Sequence, residues 1–311
     1  MTQASAPGKI ILFGEHAVVY GRPAIAVPLP SIRATVEVDA SPPTEQDGIL
    51  VQAPALSKTF MLEEISPQDP LGFAIRLTLE TLQITRPPNL RIKIESEIPI
   101  SAGLGSGAAV TVAIIRSLCR HFGRTLSDEK ISELAYEVER LYHGTPSGVD
   151  NSVVTFEKPI YFRRGHPVER FSIAERFTLV LAHSGESTPT AEVVHSVRDA
   201  WQANRADYER KFDAIGRIVD LAYGALKRGD VALLGPLMDQ NQMHLEALGV
   251  SCHALDTLIK RARAAGAAGA KLSGGGRGGF MLALVGDDQI EDVTATLQAE
   301  GASPVLHTTI R

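Results

Sequence analysis
The chain has 311 residues, 44% of them hydrophobic and 22% charged, with a formal net charge of -5. That is enough apolar material for one large domain or two ordinary ones, and it excludes a disordered polymer. The mild acidity excludes the basic footprint that nucleic acid demands, and the most apolar run, Ala108 to Ile115, is far too short to span a bilayer.

Met1 to Ser5 lacks the basic start and apolar stretch of a signal peptide, so a cytoplasmic protein is expected, with no membrane partner. Lys9 to Phe13 and Ala24 to Leu29 read as strands, and Ser31 to Val38 alternates apolar and polar residues as a half-buried strand does. Asp39 to Asp47, rich in Pro, Ser and acid, reads as a loop. Pro70 to Leu82 has a helical pattern and Leu90 to Glu95 alternates again. A Gly-rich stretch then opens a helix from about Ala108 to Phe122, apolar nearly all round until Arg116 and therefore expected to be buried. Ser127 is placed to cap a further helix, in which Ile131, Leu134, Val138 and Leu141 recur at helical spacing. A polar stretch from Arg164 to Ser172 separates two strand-like runs and sets an expected domain boundary, 1–168 and 169–311. From Thr190 to about Arg263 the pattern is mostly helical. Strands at Ala270 to Leu272 and Phe280 to Val285, a helix and a last strand close an α+β chain. Cys119 and Cys252 are far apart and in no metal-ligand spacing, so they read as two thiols in a reducing compartment.

Two segments carry more glycine than turns require. In SAGLGSGAA, from Ser101 to Ala109, Gly103, Gly105 and Gly107 precede a buried helix. Closely spaced glycines let main-chain N–H groups approach a ligand, and the helix N-terminus behind them carries partial positive charge, so the stretch reads as a phosphate cradle. Gly103, Gly105 and Ala108 also fit the dinucleotide fingerprint, and Asp128 lies at about the right distance for a ribose contact. Against that reading, Ser96 to Ser101, with Pro99 among them, intervene between strand and glycines. No Gly-Lys-Ser/Thr follows, which excludes a Walker A loop. The second segment, KLSGGGRGG from Lys271 to Gly279, has five glycines in six residues between two strands, as expected of a backbone passing close to something else.

The helix after Ser127 offers several carboxylates. Lys130, Glu133, Glu137 and Arg140 follow i, i+3, i+7, i+10 and form one charged, solvated stripe. Glu139 lies off that stripe, in line with Ala135 and Tyr142.

Four segments together resemble the GHMP kinases, in the family's order and from end to end of the chain. Ala6 to Gly21 (APGKIILFGEHAVVYG) is similar to the first motif, and its GEHAVVYG portion to the mevalonate kinase family within it. Ile98 to Ala109 resembles the ATP-phosphate motif and Lys271 to Gly279 the third motif. His143 to Asn151 (HGTPSGVDN) resembles the mevalonate kinase segment that carries the catalytic aspartate. The resemblance implies a ribosomal S5 domain 2-like N-terminal domain and a ferredoxin-like C-terminal domain. It also implies ATP, Mg²⁺ and mevalonate as ligands, in isoprenoid precursor biosynthesis. Asp150 matches the family's base and Lys9 the lysine that accompanies it. An aspartate is a weak base at neutral pH, but a neighbouring cation also favours an alkoxide. Asp150 as a helix N-cap is the alternative. Glu139 matches the magnesium glutamate. Gly103, Leu104, Gly105, Ser106, Gly107, Ala108 and Ala109 match the phosphate loop.

Glu15 and His16 match the mevalonate-contacting region, with Ser147 and Gly275 lining the site. Thr190 begins a predicted helix, where its hydroxyl could meet a carboxylate or simply cap. Two departures stand out. Gly107 replaces a serine that ligates magnesium in relatives, leaving Ser106 or water to substitute. Arg277 and Phe280 replace a glycine and a cysteine; Arg277 either binds an anion of the substrates or points to solvent. Phosphomevalonate kinase, galactokinase and homoserine kinase activities remain open, as do a silent ligand-binding relative and the oxidoreductase. The oligomeric state is open too, a homodimer included.

Overall fold
The computed structural model describes residues 1–40, 48–100, 103–143 and 146–311. Most of the expected Asp39–Asp47 loop, the Ser101–Ala102 start of the first Gly-rich stretch and Gly144–Thr145 lie outside the described residues. The chain forms two compact units, each discontinuous in sequence. The first takes Met1–Gly8, Pro30–Pro99 and Gly105–Glu157; the second takes Lys9–Leu29, Ile100–Leu104 and Lys158–Arg311.

Two strands run through both units: β1, Thr2–Phe13, and β2, Ala24–Ala40. β2 is one strand where the residue pattern suggests two, Ala24 to Leu29 and Ser31 to Val38; it runs through Pro28 and Pro30, since a strand tolerates a missing N–H wherever no ladder bond needs it. In the first unit Ala34–Ala40 of β2 pairs antiparallel with β5, Leu90–Ser96. β5 in turn pairs parallel with β3, Ile49–Ala53, and β3 antiparallel with β4, Lys58–Met61. Neither β3 nor β4 is anticipated by the residue pattern. Among the described residues four helices complete this unit, α2 and α3 each packing on the other three: α1, Pro70–Thr81; α2, Ser106–His121; α3, Asp128–His143; and α4, Val149–Phe156. α2 is the central one, as expected from its apolar surface. Val112, Ala113 and Ile114 are fully buried, and Ser117 Oγ donates to Val36 O at 2.6 Å, joining the helix to β2.

In the second unit Ala24–Ala26 of β2 pairs with β6, Ile160–Phe162, which pairs with β7, Glu169–Arg170. The stretch expected to be a boundary is thus a hairpin tied to β2. The chain enters this unit for the last time at Lys158, ahead of 168/169. Beyond it lie β8, Phe177–His183; four helices, α5 (Thr190–Ala203), α6 (Arg205–Arg228), α7 (Leu234–Ala247) and α8 (His253–Ala264); β9, Gly269–Leu272; β10, Phe280–Val285; α9, Ile290–Ala299; and β11, Val305–Ile310. The sheet order β11-β8-β10-β9, antiparallel throughout, is the ferredoxin-like order 4-1-3-2. The expected α+β class is observed. Among the described residues no helix is long and apolar enough to cross a membrane.

Candidate active site
In the second unit the turn after β1 carries Glu15 and His16, 1% and 6% exposed. His16 adopts φ 60° and leads into a short 3-10 turn, Ala17–Tyr20. Its Nε2 lies 2.8 Å from Gly275 O. A carbonyl can only accept, so Nε2 carries the hydrogen and Nδ1 keeps a lone pair. Burial pulls the imidazole pKa down to about 4, the Gly275 carbonyl opposes this, and the nearby positive charge of Arg277 lowers it further. The ring is therefore neutral at physiological pH, a hydrogen-bond acceptor at Nδ1.

Glu15, which the resemblance places in the mevalonate-contacting region, has protein partners at both carboxylate oxygens. Lys271 Nζ donates to Oε1, and Asn241 Nδ2 donates to Oε2 at 3.0 Å. Lys271, fully buried at the foot of the second Gly-rich stretch, also donates to Leu272 O at 2.6 Å. With a protein partner on each oxygen inside the core, Glu15 holds the turn and the loop in register.

The loop that follows, Ser273–Gly279, is laced to its surroundings by main-chain and side-chain bonds. Gly276 has φ 78°, and a Cβ there would lie 2.0 Å from Val250 O, so only glycine fits. Gly275 passes Thr190 closely; a Cβ on it would lie 3.0 Å from Thr190 Oγ1. Thr190 is the first residue of α5 and Pro189 occupies the cap position, so the threonine does not serve as the N-cap. Arg277 does not simply point to solvent. Its Nε donates to Gly249 O at 3.1 Å and its Nη2 to Ser196 Oγ at 2.9 Å. Gly103 runs beside this loop, near Gly274, and Lys9, 4% exposed, donates its main-chain N–H to Leu104 O at 2.9 Å.

In the first unit the remaining expected residues sit on three helices that pack pairwise, α2, α3 and α4. Gly105 is the N-cap of α2 in the left-handed region with no side-chain cap, so Ser106, Gly107 and Ala108 open the helix with main-chain N–H groups that can meet an anion, while Ala109 N–H already donates to Gly105 O at 2.9 Å. On α3 the expected stripe is exposed and paired internally, Lys130 with Glu133 at 3.0 Å and Arg140 with Glu137 at 2.9 Å. Glu139 is buried, 9% exposed, as its place off the stripe implies. Ser127 Oγ accepts from Lys130 N at 3.2 Å, the expected cap. Asp150 stands in the first turn of α4, whose cap is Gly148, so it is not the N-cap. Ser147 Oγ accepts from Val149 N at 3.3 Å. Asn151 fixes this turn on α3, its Nδ2 donating to Ser132 O and Oγ at 3.0 and 2.8 Å.

Residues 71–158 match the family description GHMP kinases N terminal domain, and residues 222–303 match GHMP kinases C terminal. The mevalonate kinase of Thermococcus sibiricus is 35% identical over 323 aligned residues, covering 97% of this chain and 94% of that protein. The chain belongs to the mevalonate kinase family of GHMP kinases. The mevalonate kinase of Methanothermobacter thermautotrophicus is 37% identical, with 91% of this chain and 89% of that protein covered. Among solved structures, L. major mevalonate kinase in complex with R-mevalonate superposes with a TM-score of 0.85 at 31% identity, covering all of this chain and 96% of that one.

The motif resemblance marks Gly107, Arg277 and Phe280 as departures, and the structure shows what surrounds each. Gly107 is exposed, and a Cβ there would meet nothing within 4 Å, so the missing serine is not forced by space. Phe280 is fully buried in β10. Residue-pattern reasoning missed Lys271, Asn241 and Ser196 as parts of the site. A lysine inside the apolar run Ala270-Lys271-Leu272 was a usable signal, because a buried ammonium requires a carboxylate partner. Asn241 and Ser196 lie on ordinary amphipathic helices and gave none.

Proposed function
We propose that the protein transfers the terminal phosphoryl group of ATP to the 5-hydroxyl of mevalonate in the cytoplasm, in isoprenoid precursor synthesis. The similarity to mevalonate kinases over nearly the whole chain, with Lys9, Glu139 and Asp150 present, carries this reading. The first turn of α2, with Gly103 to Ala109, would cradle the ATP phosphates. Asp150 takes the hydroxyl proton as the new O–P bond forms and the bond to ADP breaks, and Lys9 supplies positive charge for the developing alkoxide. His16 accepts a hydrogen bond from an acceptor hydroxyl at Nδ1, while Thr190, Gly275 and Ser147 are assigned to the acceptor.

The carboxylate of Glu139 and the hydroxyl of Ser106 are hard oxygen donors on helices that pack together, and Mg²⁺ commonly takes only one or two protein ligands besides phosphate. These two residues would hold the ion, whose chemistry is to neutralise charge on the phosphate oxygens. Glu139→Gln should therefore raise the Mg²⁺ requirement far more than Glu137→Gln, whose carboxylate is already paired on the surface with Arg140. Mg²⁺ titrations at saturating ATP compare the two; equal effects would remove Glu139 from metal binding.

The reaction is tested by measuring ADP release with ATP, Mg²⁺ and a panel of mevalonate, phosphomevalonate, galactose and homoserine. Phosphorus NMR of the product then locates the ester. Release dependent on mevalonate, with the ester at the 5-position, is expected. Preference for another acceptor, or no acceptor-dependent release, would overturn the assignment.

A further inference from the structure
Arg277 stands where the family pattern has glycine, and its backbone still adopts a glycine-like φ of 52°. An L-residue in that region costs free energy and persists only where surrounding contacts hold it. Here four hydrogen bonds do so, reaching three separate segments. The main-chain N–H donates to Val250 O at 2.7 Å, and Thr188 Oγ1 donates to the Arg277 carbonyl at 2.8 Å. The side chain adds Gly249 O through Nε and Ser196 Oγ through Nη2. Ser196 lies on α5, six residues and nearly two helical turns beyond Thr190. The loop that carries Arg277 also carries Gly275, which touches both Thr190 and the Nε2 of His16. One guanidinium therefore joins α5 to the loop on which two proposed substrate groups converge.

We propose that Arg277 is a positioning residue which, through Ser196 and Gly249, clamps the third glycine-rich loop to α5 and sets the spacing of Thr190 and His16 around the acceptor, resting on the assignment of mevalonate above. A glycine at this position removes the guanidinium bond that ties the loop to Ser196 on α5. A lysine cannot replace the fork, because one ammonium on a flexible stem does not hold two acceptors in fixed directions. The clamp thus assigns to Ser196, through its bond to Arg277, a part in acceptor binding.

The test is a double-mutant cycle on the full-length protein with Arg277→Gly, Ser196→Ala and both together. Glycine relaxes the positive φ, so Arg277→Gly is expected to fold with a melting temperature close to that of the wild type. Its KM for mevalonate should rise about tenfold, as for loss of charge-assisted hydrogen bonds, with kcat and the KM for ATP nearly unchanged. Ser196→Ala should raise the same KM about threefold, and the double variant should be no worse than Arg277→Gly alone, the signature of a shared interaction. Amide exchange at Thr190 to Val193 should quicken in both single variants. A wild-type KM in Ser196→Ala, or additive effects in the double variant, would overturn the clamp. A wild-type protein inactive on mevalonate overturns the acceptor assignment instead. In that case unchanged exchange at α5 would overturn the clamp, and quickened exchange would uphold it.

Discussion

Asp150→Asn is expected to lower kcat by about two to four orders of magnitude, the usual cost of losing a positioned general base. Affinity for ATP should stay near the wild-type value, because the nucleotide phosphates are assigned to the first turn of α2. The amide has the shape of the carboxylate, so packing around α4 is preserved. Folding loses, among the interactions of this carboxylate, that of a negative charge with the N-terminal end of α4, where Asp150 sits in the first turn; such a charge contributes about 0.3–1 kcal/mol. Asn151 and Ser132 continue to hold that turn against α3. Rate and stability should therefore separate: a large fall in turnover, a small change in melting temperature, and an unchanged nucleotide dissociation constant by calorimetry. A variant that turns over at close to the wild-type rate would remove Asp150 from the mechanism.

Much of this was legible before any coordinates. The burial of α2 follows from an apolar surface running all round the helix. The burial of Glu139 follows from its angular offset from a stripe of charges that satisfy one another three residues apart. Both are consequences of local periodicity, which a single sequence records directly. β3 and β4 escaped because their pattern is short and ends in loop-like residues; pairing with β5 is what makes them strands, and pairing is not local. The hairpin of β6 and β7 was taken for a boundary for the same reason: its polar residues are exposed, while its partner in β2 lies far back in the chain.

The candidate site divides along the same line. Gly-rich stretches and motif residues announce themselves by composition, and the resemblance orders them. The roles of Glu15 and Arg277 depended on partners 256 and 81 residues away, Lys271 and Ser196. An acid next to a histidine in a recognised motif invites a reading as a ligand contact. Only the long-range hydrogen bonds reveal that the Glu15 carboxylate and the Arg277 guanidinium each have partners within the protein.

The buried pair at the foot of the loop gives the largest expected effect on stability. Lys271→Met should destabilise the protein by about 3–5 kcal/mol, because it leaves the Glu15 carboxylate in the core without its cation. Asn241 remains as a donor to Oε2, but one neutral amide does not replace an ammonium there. Burial lowers the pKa of Lys271 and the charge of Glu15 opposes that shift, so the ammonium depends on the carboxylate beside it to remain charged. Neutralising both ends is therefore expected to be milder than neutralising one. Glu15→Gln combined with Lys271→Met leaves no net charge in the core, and the Gln side-chain carbonyl can still accept from Asn241. Denaturant unfolding of the two single variants and the double variant reads the coupling directly. The order expected is wild type, then the double variant, then Lys271→Met as the least stable. Because His16 follows Glu15 in the chain and Ser273–Gly279 follows Lys271, the double variant should also bind acceptor more weakly even where it is fully folded. A Lys271→Met protein within about 1 kcal/mol of wild type, below the range for a broken buried pair, would mean that the pair does not hold this part of the core.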